Sequence, residues 1–117
     1  MQSNYTVGLH IEVLMNLSEY LPLTETTYYI LLALLNPGHG YLIMQKVEEL
    51  SKGKVRIAAG TMYGAIENLQ KQGWILSVPG EDTRRKVFQI SETGRIVLGL
   101  EALRLRGLVA LAVQYKL

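Results

Sequence analysis

The feature that most constrains this chain is a change of hydrophobic period near Gly73. Within the stretch Arg56–Ile75, Met62, Ile66 and Leu69 recur at i, i+4 and i+7, which predicts an amphipathic helix that Gly73 ends. Two short β-prone runs follow, WILSV and RKVFQI, and the turn residues of PGEDTR separate them. The sequence therefore predicts helices combined with a small β-hairpin.

Further helices flank this element. Apolar spacing predicts them over residues 7–20, 25–35, 41–51 and about 92–115, and Ser91 is a suitable N-cap for the last one. The resulting order is four helices, a hairpin and a final helix.

The second helix should be the central element of the core. Thr24 is a suitable N-cap for the second helix, which is apolar on most sides after Tyr28. The segment NPGHG then predicts a loop, because proline and glycine interrupt regular structure. The third helix is expected to bury Leu42, Ile43, Val47 and Leu50.

Composition limits the class of protein. The 117 residues are 49% hydrophobic and 19% charged, which favours one folded domain, or one domain with an appended element. The absence of cysteine excludes disulfides, thiolate metal sites and cysteine nucleophiles. No signal-peptide pattern opens the chain, and Glu101, Arg104 and Arg106 interrupt its apolar C-terminal segment. We therefore expect a cytoplasmic protein that does not span a membrane.

Charge is distributed unevenly along the chain. Residues 1–51 carry five acids and one base, a net charge of −4, whereas residues 52–86 carry seven bases and three acids, a net charge of +4. A basic patch of this kind is expected to face a polyanion, although ordinary scatter of solvated surface charge is an equally good reading of the charges alone.

The order of elements is that of a winged helix-turn-helix, in which the third core helix enters the major groove and the hairpin, or wing, contacts the backbone. The stretch Arg56–Ile75 occupies the position of the recognition helix. Its outer face is polar, its two glycines allow close approach, and bases flank it on both sides. The candidate DNA-binding residues are Lys54, Arg56, Gly60, Thr61, Tyr63, Gly64, Asn68, Arg84, Arg85 and Lys86.

Three segments, LTETTYYILLALLNPGHGYLIMQKVEEL, AAGTMYGAIENLQKQGWI and RRKVFQISETGR, closely resemble the PadR family of bacterial transcriptional regulators. The resemblance runs from about Leu23 to Arg95. It implies a homodimeric repressor that binds a palindromic operator in double-stranded DNA and is released by a small hydrophobic or aromatic effector. It assigns DNA contact to Thr61, to Tyr63 and to the basic residues of the wing, Arg84, Arg85 and Lys86. It assigns a mainly structural role to Tyr41. The chain has Ala59 where the family often has proline.

The last helix carries more apolar surface than one helix on a small domain can bury. We expect one face, with Ile96, Leu100, Leu103 and Ala110, to cover the winged helix, and a second face to pair with another copy of the chain. The alternative is that both terminal helices fold onto their own domain. The candidate dimerisation residues are Leu9, Val13, Leu17, Leu98, Leu105, Val109 and Ala112.

This division gives an N-terminal helical extension over residues 1–22, a winged helix over 23–91 and a dimerisation helix over 92–117. Residues 1–20 can belong either to the dimer interface or to the DNA side.

Two rival functions fit the sequence less well. An enzyme is disfavoured because His10 and His39 have no ligand spacing and GTMYGAIE lacks the Gly-Lys-Ser/Thr ending of a phosphate loop, so we expect no metal and no cofactor. A winged helix used for protein contact should expose a neutral or acidic apolar face. In this chain the outer face of the predicted recognition helix is polar and is flanked by basic residues, which favours DNA as the partner. Trp74, at the start of the hairpin, is expected to be a packing residue.

Overall fold

The structure, a computed structural model, describes residues 11–80 and 84–117. Within these residues the fold is mainly helical with a small antiparallel sheet, so the predicted fold class is confirmed. The elements are α1 over residues 11–18, α2 Glu25–Ala33, β1 Gly38–His39, α3 Gly40–Leu50, α4 Ala59–Lys71, β2 Ile75–Val78, β3 Val87–Ile90 and α5 Glu92–Gln114.

The chain forms two compact units. One is Thr24–Leu98, here called the winged-helix unit, and the other joins the described residues up to Leu23 to Gly99–Leu117. The sequence places a boundary at residue 92, where α5 begins, whereas the winged-helix unit continues along α5 as far as Leu98.

The sheet has three strands, in the order β1-β3-β2. β2 and β3 pair antiparallel from Ile75–Ile90 to Val78–Val87, which is the predicted hairpin. The expectation that NPGHG is only a loop is wrong, because Gly38 pairs with Phe88 and His39 with Val87. A two-residue strand has no period of its own, and its partner lies far away in the sequence.

Helices α2 and α4 supply much of the core of the winged-helix unit. Ile30, Leu31 and Leu34 are fully buried at and just beyond the end of α2. The predicted inward stripe of α4 is confirmed, since Met62, Ile66 and Leu69 are at most 4% exposed. Trp74 and Phe88 of the hairpin region are also buried, and Trp74 is therefore a core residue.

Helix α3 buries a narrower stripe than predicted. Ile43 and Val47 are buried as expected, one turn apart. Leu42 and Leu50 are 47% and 39% exposed, so their predicted burial is wrong. The reason is that α3 presents only the 43/47 edge to the core, and residues on the flanks of that edge stay in contact with water.

Both predicted caps are confirmed. The Thr24 hydroxyl accepts a hydrogen bond from the Thr27 N–H at 3.1 Å and begins α2. The Ser91 hydroxyl accepts from the Gly94 N–H at 3.0 Å and begins α5. Such caps satisfy N–H groups that lack a partner within the helix.

The junction between β3 and α5 lies against the junction between α4 and β2. The Ser91 hydroxyl donates to the Gly73 carbonyl at 2.5 Å, and the Ser91 N–H donates to the Trp74 carbonyl at 2.8 Å. Gly94 stands so close to Trp74 that a Cβ at residue 94 would overlap the Trp74 carbonyl oxygen. These contacts fix the end of α4 to the start of α5.

A buried carboxylate organises the second unit. Glu101, only 2% exposed, accepts from the Leu23 N–H at 2.9 Å and from the Arg104 guanidinium at 2.5 and 3.1 Å. The hydrogen bond from Arg104 lowers the pKa of Glu101 most, burial opposes it, and the bond from Leu23 adds to the lowering. Glu101 thereby joins α5 to the segment that precedes α2.

Substituting Glu101→Gln is expected to lower the unfolding free energy by about 1–2 kcal/mol at neutral pH, because a charged acceptor is lost. A folded-state pKa below the unfolded value means that this stabilisation is present above about pH 4–5 and disappears as pH falls through the folded pKa. Urea unfolding of both proteins at one fixed protein concentration, from acid to neutral pH, measures it. A difference between the two that stays constant with pH would contradict this role.

Candidate nucleic-acid interface

The outer face of α4 is polar and low in bulk. Thr61, Tyr63, Gly64 and Asn68 are exposed, as the sequence predicts. A Cβ at Gly60 or Gly64 would meet nothing within 4 Å, so neither glycine is required by packing within the chain. The face therefore leaves room for another molecule to approach the helix backbone.

A concavity of about 730 Å³, here called the α4–wing pocket, lies between α4, the start of α3 and the wing. It brings four predicted site residues together, namely Tyr63, Arg84, Arg85 and Lys86. The other lining residues are His39, Gly40, Tyr41, Ile66, Glu67, Gln70 and Phe88. The pocket is thus lined by aromatic and basic side chains, above apolar residues of the core.

The remaining predicted DNA-binding residues do not line this pocket. Gly60, Thr61, Gly64 and Asn68 lie along the outer face of α4, and Lys54 and Arg56 lie in the α3–α4 connection.

Several charged side chains near α4 form surface ion pairs. Arg56 contacts Glu48 at 3.1 Å, and Lys71 contacts Glu67 at 3.5 Å. Both pairs are well exposed, and such pairs contribute at most about 1 kcal/mol each. A phosphate can therefore compete for Arg56 at little cost.

His39, Gly40 and Tyr41, on the α3 side of the pocket, were not among the predicted site residues. Tyr41 is 64% exposed, so its side chain is not packed in the core as a mainly structural role would require. Gly40 explains how Tyr63 comes so near, since a Cβ at residue 40 would stand 2.6 Å from the Tyr63 hydroxyl oxygen. The three residues His39-Gly40-Tyr41, here called the HGY motif, were visible in the sequence. Their position beside the wing, however, depends on the pairing of β1 with β3.

His39 contacts both α3 and the wing. Its Nδ1 accepts from the Leu42 N–H at 3.4 Å, as the N-cap of α3. Its Nε2 lies 3.5 Å from Nη1 of Arg85. His39 therefore lies between the first turn of α3 and the basic side chain of Arg85 in the wing.

The candidate dimerisation residues differ in exposure. Val13 and Val109 are 46% and 61% exposed, and Leu17, Leu105 and Ala112 are partly exposed. Leu9 lies outside the described residues. Leu98 is buried within the single chain at 7% exposure, so we leave it out of the candidate surface.

The face of α5 that was expected to cover the winged helix also needs correction, because Leu103 is 63% exposed. Beyond residue 102 the helix exposes apolar side chains in several directions, so a single covered face does not describe it.

Across residues 11–80 and 84–117, no helix is long and apolar enough to cross a membrane. The same residues contain no group of three or more His, Asp or Glu side chains placed to hold a metal ion.

Several solved structures share this fold. A transcriptional regulator from Clostridium thermocellum is 23% identical, with a TM-score of 0.63 over 78% of this chain and 88% of its own. A PadR family regulator from Eggerthella lenta is 21% identical, with a TM-score of 0.61 over 97% and 96%. BpsR of Bordetella bronchiseptica, whose DNA binding is regulated by 6-hydroxynicotinic acid, is 14% identical, with a TM-score of 0.63 over 94% and 77%. At these identities the likeness shows the fold.

Sequence comparison identifies the family. No curated protein matches the chain as a relative. The model of the transcriptional regulator PadR-like family matches residues 14–100, which include the whole winged-helix unit. The chain therefore belongs to the PadR-like family and is a DNA-binding transcriptional regulator, not an enzyme.

Proposed function

We propose that this protein is a homodimeric, sequence-specific repressor that binds a palindromic operator, with α4 in the major groove and the wing on the adjacent backbone. The observation that carries the proposal is that the exposed polar face of α4 lies beside three basic residues of the wing, Arg84, Arg85 and Lys86. Proteins of this architecture use such a helix for base contacts and such a hairpin for phosphate contacts.

The roles of individual residues follow from their chemistry. Gly60 and Gly64 allow the helix backbone to approach the groove, and Thr61 and Asn68 supply groups that can pair with base edges. Asn68 lies about two and a half turns beyond the start of α4 and reads a DNA base only if the helix lies deep in the groove. Lys54, Arg56 and the wing bases contact phosphates, which orient the protein without reading sequence.

A dimer is supported by the apolar surface of the second unit. Leu103, Leu108, Leu111 and Val113 of α5 are each more than half exposed. Exposed apolar surface of this extent marks an interaction site, and the same surface on two copies gives a twofold contact. We assign Val13, Leu17, Leu105, Val109 and Ala112 to that contact.

Release by a small hydrophobic or aromatic effector is part of the proposal by analogy. BpsR, which shares the fold at 14% identity, is regulated in its DNA binding by such a small molecule. A regulator of this kind acts on genomic DNA in the cytoplasm.

The test is selection from a pool of genomic fragments with the purified protein at two salt concentrations, followed by sequencing of the retained DNA. We expect enrichment of a twofold-symmetric site, with affinity that falls by about 10³-fold or more between about 50 and 200 mM salt if six or more phosphates are contacted. The control is a duplex of scrambled sequence. Absence of enrichment, with retention of a cellular protein by the same face, would favour the alternative of a winged helix used for protein contact.

A further inference from the structure

The two ring nitrogens of His39 cannot both hydrogen-bond well to their protein neighbours, which are the Leu42 N–H and the Arg85 guanidinium. A neutral imidazole has one donor nitrogen and one acceptor nitrogen. If Nδ1 accepts from the Leu42 N–H, Nε2 carries the proton and faces the Arg85 guanidinium, a donor against a donor. The other tautomer moves the same conflict to Leu42. An oxygen acceptor placed between His39 and Arg85 would resolve it.

The charges around this point favour an anionic acceptor. Arg84, Arg85 and Lys86 of the wing line the pocket, as do the hydroxyl-bearing Tyr41 of α3 and Tyr63 of α4. Among the lining residues that the structure describes, Glu67 of α4 is the one acid, and it contacts Lys71 at 3.5 Å. Donors and positive charge therefore outnumber acceptors among these described residues.

The position of the pocket matches the path of a DNA strand. When α4 lies in the major groove and the wing reaches the adjacent minor groove, the sugar-phosphate backbone that separates the two grooves passes between them. The α4–wing pocket is the concavity at that place.

We propose that the α4–wing pocket seats one phosphodiester group of the DNA backbone, and that the neighbouring side chains of His39 and Arg85 both donate to it. The inference rests on the proposed DNA-binding function and adds His39 as a contact residue. Tyr41 and Tyr63 border the same phosphodiester with their hydroxyl groups. The tyrosine and histidine of the HGY motif thereby belong to the binding surface.

The experiment uses the full chain and a mixed-sequence duplex of about 30 base pairs, because a phosphate contact does not depend on base sequence. Affinity is measured at constant salt and neutral pH. The other histidine of the chain, His10, provides a control, and His10→Asn should bind this duplex like the wild type.

Two substitutions at residue 39 separate helix capping from phosphate contact. Asparagine and aspartate both cap helices well, but aspartate repels a phosphate. We expect His39→Asp to bind at least about tenfold more weakly than His39→Asn at neutral pH. Thermal unfolding verifies that both variants remain folded.

Equal affinity of the two variants would overturn the phosphate site while leaving DNA binding in place. Failure of the wild-type protein to bind this duplex, with no operator enriched from genomic fragments, would overturn both the site and the proposed function.

Discussion

A Gly94→Ala variant is expected to lose at least about 3 kcal/mol of unfolding free energy, because the added methyl group has no room. The new Cβ would overlap the Trp74 carbonyl oxygen and stand 2.8 Å from a side-chain carbon of Ile90. The carbonyl cannot retreat easily, since it accepts from the Ser91 N–H at 2.8 Å and belongs to the residue whose buried ring follows α4. Relief requires α5 to move away from the end of α4.

Chemical denaturation at fixed protein concentration measures this loss, and Gly99→Ala is the matched control. Gly99 lies in the same helix, and a Cβ there meets nothing within 4 Å. Alanine at an open helical position should raise stability by up to about 1 kcal/mol. Similar unfolding free energies for the two variants would show that the β3–α5 junction tolerates a side chain at residue 94.

Combining Tyr63→Ala with Arg85→Ala is expected to reduce DNA affinity by at least about 100-fold, while the dimer and the melting temperature are unchanged. Each contact of this kind contributes about 1–3 kcal/mol, and the two side chains line the α4–wing pocket from α4 and from the wing. Both side chains are exposed in the single chain, so their removal costs little stability. Loss of Arg85 should also reduce the slope of log affinity against log salt by about one.

Fluorescence anisotropy with the selected operator gives the affinity, and sedimentation gives the oligomeric state. Arg106→Ala removes one positive charge from the exposed surface of α5 and serves as the charge control, with affinity expected to stay within about threefold. If the double variant binds the operator like the wild type, α4 and the wing are not the recognition surface.

Much of the winged-helix unit was predictable because its signals are local. The stripe of Met62, Ile66 and Leu69 is a property of one helical segment, and the caps at Thr24 and Ser91 act within three residues. The candidate DNA-binding face followed from that stripe, since the residues opposite a buried edge must point outward.

The missed features depend on the position of distant segments. β1 exists only because β3 lies beside it, and neither partner could be assigned from two residues of sequence. The burial of Leu98 and the exposure of Leu103 likewise reflect where α5 leaves the winged-helix unit, which periodicity does not reveal. His39 and Tyr41 could join the candidate site only after the sheet had placed them next to the wing.

The pairing of β1 with β3 has a mechanical consequence. The strand β3, which directly follows Arg84, Arg85 and Lys86 of the wing, pairs along both edges, with β2 on one side and with β1, just before α3, on the other. The base of the wing is therefore anchored before any ligand arrives, and less conformational freedom remains to be lost when the wing engages its target. Lengthening or shortening the segment between α2 and α3 would in turn change the orientation of the wing, although this segment and the wing are about 50 residues apart along the chain.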